Sequence, residues 1–172
     1  MAISEYLKRH NEVGRIIHRS ICEKYNIRVS KQAWKHEPQT VTETDDVKIL
    51  WHFEIRTDRR IPVRRPGIVV IDKRKKSGLI IDVAVPDDKN INVKEREKIE
   101  KYHDLRIEIQ KLWQLKATVV PVVVGALGAR SEKFEEYLSR MPGQHHVPAL
   151  LKAALLGSAY ILRRTLDLPE SW

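Results

Sequence analysis

Two β-branched runs constrain this chain more than any other feature. Ile68 to Asp72 and Leu79 to Val85 are short and rich in Val and Ile, and the polar stretch Lys73 to Gly78 separates them. That pattern predicts a β-hairpin. With Lys73 to Gly78 as the loop and Asp72 opposite Leu79, position 67 pairs with Ala84 and Val69 with Asp82. Position 67 and Asp82 are then diagonal neighbours on one face, about 7–8 Å apart. An acidic group inside Leu79 to Val85 carries a desolvation cost of several kcal/mol. Two readings stay open for Asp82: an ion pair with Arg65 or another cation, or ligation of Mg2+ or Mn2+.

The rest of the chain reads as alternating elements around that hairpin. Apolar positions at Leu7, Val13, Ile17 and Ile21 predict a helix over Ser4 to Tyr25, and polar Asn26 to Asp46 reads as a surface loop. Alternation over Lys48 to Ile55 predicts a half-buried strand. Asn92 to Lys116 is expected as one long helix whose inward stripe runs from Leu112 through Ile109, Leu105 and Tyr102 back to Lys98. Val119 to Val124 reads as a strand buried on both faces, and helices are expected over Ser131 to Met141 and Pro148 to Leu166. Sequential strands joined by short links pair antiparallel, while the strand after the long helix returns parallel. The expected fold class is therefore α/β, a mixed four-stranded sheet flanked by helices, with residues 1–172 as a single domain.

A net charge of +9 favours a polyanionic partner, nucleic acid first. Arg56, Arg59, Arg60, Arg64 and Arg65 lead into the hairpin and Lys73 to Lys76 occupy its tip. No segment has the uninterrupted apolar length of a membrane span, and the first residues do not read as a secretory signal. The expectation is an intracellular protein. Cys22 is the only cysteine, which excludes internal disulfides and a cysteine-built zinc site. His18 and Cys22 lie four apart on the first helix, but a zinc site needs two further ligands that the sequence does not cluster nearby. His145-His146 and Thr44-Asp45-Asp46 read as loop residues, and Asp87 with Asp88 as helix-entry caps.

A hairpin carboxylate with a lysine turned toward it is what metal-dependent phosphodiester hydrolysis uses: the cation polarises the phosphate, and the lysine offsets charge in the transition state. Arg65-Pro66-Gly67-Ile68-Val69-Val70-Ile71-Asp72, Leu79 to Pro86, and Lys94-Glu95-Arg96-Glu97-Lys98 to Leu105 carry a resemblance at this point. So do Arg9-His10-Asn11, Leu50-Trp51-His52-Phe53, Pro121 to Gly128 and Ala154 to Arg164. Together they resemble the restriction-like endonuclease domain of non-LTR retrotransposon reverse transcriptase polyproteins, a branch of the PD-(D/E)XK superfamily.

The resemblance covers almost the whole chain. It implies an αβββαβ core with added C-terminal helices and an enzyme that nicks target DNA so that reverse transcription is primed from the break. It also implies Mg2+ or Mn2+ as cofactor, DNA as partner with RNA of a retrotransposon particle beside it, and a nuclear site of action. By position, Asp82 matches a metal-binding carboxylate, and Lys98 or Lys101 a catalytic lysine displaced from the strand, where Ala84 stands. Arg59, Arg60, Arg64, Arg65 and Lys94 are the expected DNA contacts. Two departures stand out: Arg65-Pro66-Gly67 where the family commonly reads Arg-Pro-Asp, and His52 where it reads aspartate. Three functional readings follow: an endonuclease impaired by Gly67, a non-catalytic DNA-binding remnant of the same fold, and a basic protein-binding adaptor.

Overall fold

The computed structural model describes residues 2–169. A long first helix, α1 (Ala2–Lys24), precedes a sheet of β1 (Val41–Glu43), β2 (Val47–Trp51), β3 (Ile68–Asp72), β4 (Ser77–Ala84) and β5 (Lys116–Val123). The strands hydrogen-bond in chain order, antiparallel from β1 to β4 and parallel between β4 and β5. The β4-to-β5 crossover carries α2 (Ile91–Lys101) and α3 (His103–Trp113), and α4 (Phe134–Ser139) and α5 (Val147–Thr165) follow β5. The α/β class with a mixed, helix-flanked sheet agrees with expectation.

The sheet has five strands where four were expected. β1 lies inside the segment read as loop, and its three residues Val41-Thr42-Glu43 are too few and too exposed to leave an alternating signature. What makes it a strand is the open edge of β2, opposite Lys48, Ile49 and Leu50. β2 in turn stops at Trp51, short of Ile55, because His52 takes a left-handed conformation (φ 47) that ends the strand.

Both faces of the sheet are covered. On one, Val13, Ile17 and Ile21 of α1, Phe134 of α4 and Leu150 and Ala154 of α5 pack on Ile49, Ile68, Ile81, Val83 and Val122. On the other, Tyr102, Leu105 and Ile109 pack on Leu50, Val69, Ile80 and Val119. Burying each such side chain contributes about 1.5–3 kcal/mol, which is why β3 reads as a continuous apolar run.

The hairpin register differs from expectation by two residues. Asp72 pairs with Ser77, so the loop is Lys73–Lys76 and Gly78 belongs to β4. The tighter turn has local causes: Asp72 Oδ1 accepts the Lys75 N–H at 2.8 Å, and Lys76 adopts φ 51. A shift of two keeps every side chain on its expected face but sets Gly67 directly across from Asp82.

The helix expected over Asn92 to Lys116 is interrupted. Tyr102, at φ −101 and ψ 10, separates α2 from α3, and Gln114 in the left-handed region (φ 51) ends α3 so that β5 begins at Lys116. No proline or glycine lies at the break. Tyr102 is instead fully buried against the sheet, with α2 packed against β5 before it and α3 against β4 and β5 after it.

Candidate functional site

Strand parity decides where Asp82 points. Ile81 and Val83 face α1, so Asp82 faces α2 and α3, as Ile80 does. Asp82 is 4% exposed, and each of its oxygens is engaged. Lys98 Nζ donates to Oδ2 at 2.5 Å and the Gly67 N–H donates to Oδ1 at 3.3 Å. The Tyr102 hydroxyl also faces this carboxylate; burial first, then the Asp82 charge, hold it above the usual tyrosine range. The inward turn of Lys98 thus has a definite target: the last turn of α2 hangs over β4 at Asp82.

Gly67 provides the floor of the site. A Cβ there would stand 3.1 Å from Asp82 Oδ1 and 3.3 Å from the Ile81 carbonyl oxygen. A carboxylate at 67 would therefore lie beside that of Asp82, with little spare room. His52 caps the same end of the sheet, donating its backbone N–H to the Gly67 carbonyl at 2.9 Å. Its ring lies 6.2 Å from that of His10, whose Nε2 contacts the Val83 carbonyl at 2.9 Å. Burial, then His10 and Arg65, lower the His52 pKa, while Asp82 opposes them. The lowered pKa favours neutral His52, and its Nε2 is buried with no hydrogen-bond partner among the described residues.

The other expected site residues divide clearly. Lys101 is exposed, with its ammonium over the Tyr102 ring at 5.2 Å, and it does not join Lys98 at Asp82. Arg65 donates Nε to the His52 carbonyl at 2.7 Å, at the rim of the site. Arg60 is exposed, whereas Arg59 pairs with Asp104 and Glu108, Arg64 with Glu54 and Lys94 with Glu97. Lys73 and Arg74, at the hairpin tip, pair with Glu43 and Asp46 at the far end of β3.

Asp72, Asp87 and Asp88 are engaged elsewhere than at Asp82. Asp72 accepts from Tyr25 and Lys75, and Asp87 faces Arg9. Nor do these acids cap a helix: Asp87 makes no side-chain cap hydrogen bond, and Asp88 accepts the Leu127 N–H at 3.0 Å. The donor set around Asp82 is one carboxylate already neutralised by lysine plus one unpartnered imidazole nitrogen. Mg2+ asks for several oxygen donors, so these residues do not fit it.

Sequence reasoning missed His10 and Tyr102 as members of this site. It also missed His36, which the segment read as surface loop brings to His18 and Cys22. Burial, then His36, depress the His18 pKa to about 4, and burial, then Glu23, push the Cys22 thiol up to about 11. Protein-family models give no match to the chain, and curated proteins give none either.

Proposed function

We propose that this chain is a restriction-like endonuclease domain of non-LTR retrotransposon origin that binds DNA and whose metal-dependent phosphodiester hydrolysis is impaired at Gly67. The observation that carries the reading is the Asp82–Lys98 pair at 2.5 Å beside Gly67, on the sheet end entered by the arginine-rich connection. A hairpin carboxylate with a helix-borne lysine supplies half of a phosphodiesterase centre. The missing half is the second carboxylate, which a side chain at position 67 would bring close beside Asp82.

DNA is the substrate class because the net charge is +9 and, among the described residues, neither Arg65 at the rim of the site nor the exposed Arg60 has a carboxylate partner. A DNA substrate puts the site of action in the nucleus. One specific observation favours the second reading, a DNA-binding remnant without catalysis: Lys98 already neutralises Asp82, and neither Asp72 nor Asp88 joins them.

The test is supercoiled plasmid incubated with Mn2+ and the intact protein, Asp82→Ala, Gly67→Asp, or Gly67→Asp with Asp82→Ala. Nicking gained with Gly67→Asp and abolished by Asp82→Ala supports the reading. Nicking by the intact protein that is lost with Asp82→Ala means that another ligand compensates. A folded, DNA-bound Gly67→Asp protein that never nicks leaves the remnant, and an intact protein without salt-dependent DNA binding ends both.

A further inference from the structure

His18, Cys22 and His36 converge from two separate segments into one buried pocket. His18 and Cys22 are one turn apart on α1 and share a helix face. His36 follows the short 3-10 turn Ala33–Lys35 and is held there from α1. Arg15 donates to the Ala33 and His36 carbonyls at 2.7 and 3.3 Å, and Arg19 donates to that of Ser30 at 3.0 Å. Glu12 and Glu23 pair with those two arginines, so the pocket is not left with two uncompensated positive neighbours.

The three ligand atoms are close enough to share one ion. His18 Nδ1 lies 2.8 Å from His36 Nε2 and 3.6 Å from Cys22 Sγ. Tetrahedral Zn2+, with bonds of about 2.0–2.1 Å to nitrogen and 2.3 Å to sulfur, separates neighbouring N and S ligands by about 3.5 Å and two N ligands by about 3.3 Å. The His18–Cys22 edge already matches, the His18–His36 edge has to open by about half an ångström, and all three atoms lie within 4.8 Å of one another.

Burial supplies an independent argument. From Glu23 to Asp46, His36 is the only buried residue, and Trp34 beside it is 70% exposed. A segment this long normally docks through buried apolar side chains, yet Tyr25, Ile27 and Val29 reach the core only in part. Its one buried side chain is an imidazole aimed at another imidazole and a thiol.

We propose that His18, Cys22 and His36 bind one soft or borderline transition-metal cation, Zn2+ being the best match, and that this ion clamps the segment between α1 and β1 onto α1. Imidazole and thiolate ligands suit such a cation and disfavour Mg2+. As the metal–sulfur bond forms, the Cys22 thiol proton leaves to solvent, and a water completes the fourth position. The site lies on the α1 face of the sheet, opposite Asp82, and does not depend on the nuclease reading.

Co2+ added to chelator-treated intact protein tests this directly. The expected result is one equivalent bound with a thiolate-to-cobalt charge-transfer band, displaced by Zn2+, and a melting temperature about 5 °C higher with Zn2+. Cys22→Ser should lose the charge-transfer band, and His36→Gln should weaken Co2+ on the order of a hundredfold, while His145→Gln changes neither. Absence of the band in the intact protein, or its survival in Cys22→Ser, overturns the site. The intact protein alone can refute the clamp in this way, so a variant that fails to fold does not rescue it.

Discussion

The Lys98 ammonium lies 2.5 Å from the Asp82 carboxylate, joining α2 to the inner edge of β4, with Lys98 17% exposed and Asp82 6% exposed at the side chain. Breaking such a pair from one side leaves a buried charge, whereas lysine retains a route to water along its flexible stem. Lys98→Met is therefore expected to cost about 3 kcal/mol, and Asp82→Asn clearly less. Urea unfolding of both variants and of the double variant measures the asymmetry; equal losses would refute it.

Gly67→Asp is expected to trade stability for cation dependence. The new side chain starts 3.1 Å from Asp82 Oδ1, so two carboxylates must share one small space. Without metal this should cost about 1–2 kcal/mol. Millimolar Mg2+ should restore much of that in Gly67→Asp while leaving the intact protein's melting temperature unchanged, a comparison thermal melts make directly.

DNA affinity should depend unequally on the arginines of the connection between β2 and β3. Among the described residues Arg65 has only a carbonyl partner, whereas Arg59 is shared between Asp104 and Glu108. Replacing Arg65 with Ala should reduce the slope of log affinity against log salt by about 1. Arg59→Ala should change that slope less and instead destabilise the fold, since Glu108 is buried. Salt-titrated binding to a short duplex distinguishes the two; identical slopes would count against the placement of the interface.

Acid should destabilise the protein below the ordinary histidine range. Burial is the main cause of the lowered His145 pKa, with the Pro142 carbonyl opposing it, and burial likewise leads for His52. A depressed folded-state pKa means that the unfolded chain binds the proton first as pH falls. Stability is then unaffected above the ordinary histidine value of 6.5 and declines below it. His145→Gln should flatten the fall in urea midpoint between about pH 6.5 and 5; an unchanged slope would place the titration elsewhere.

Much of this architecture was legible in the residues themselves because side-chain period reports burial directly. The hairpin, the inward turn of Ile109, Leu105, Tyr102 and Lys98, and the parallel return of β5 follow from apolar spacing and chain connectivity. Leu112, expected on the same stripe, is exposed because α3 ends one residue beyond it. The shared face of Gly67 and Asp82 was equally legible, because it depends only on parity, which a two-residue register error preserves.

Distances and company were another matter. The Asp72–Ser77 closure, the break at Tyr102, the β1 edge and the arrival of His36 beside His18 and Cys22 depend on contacts between segments far apart in the chain. No local pattern carries that information: a turn chooses its length by the hydrogen bonds available in place, and a polar segment docks wherever the finished fold offers a partner.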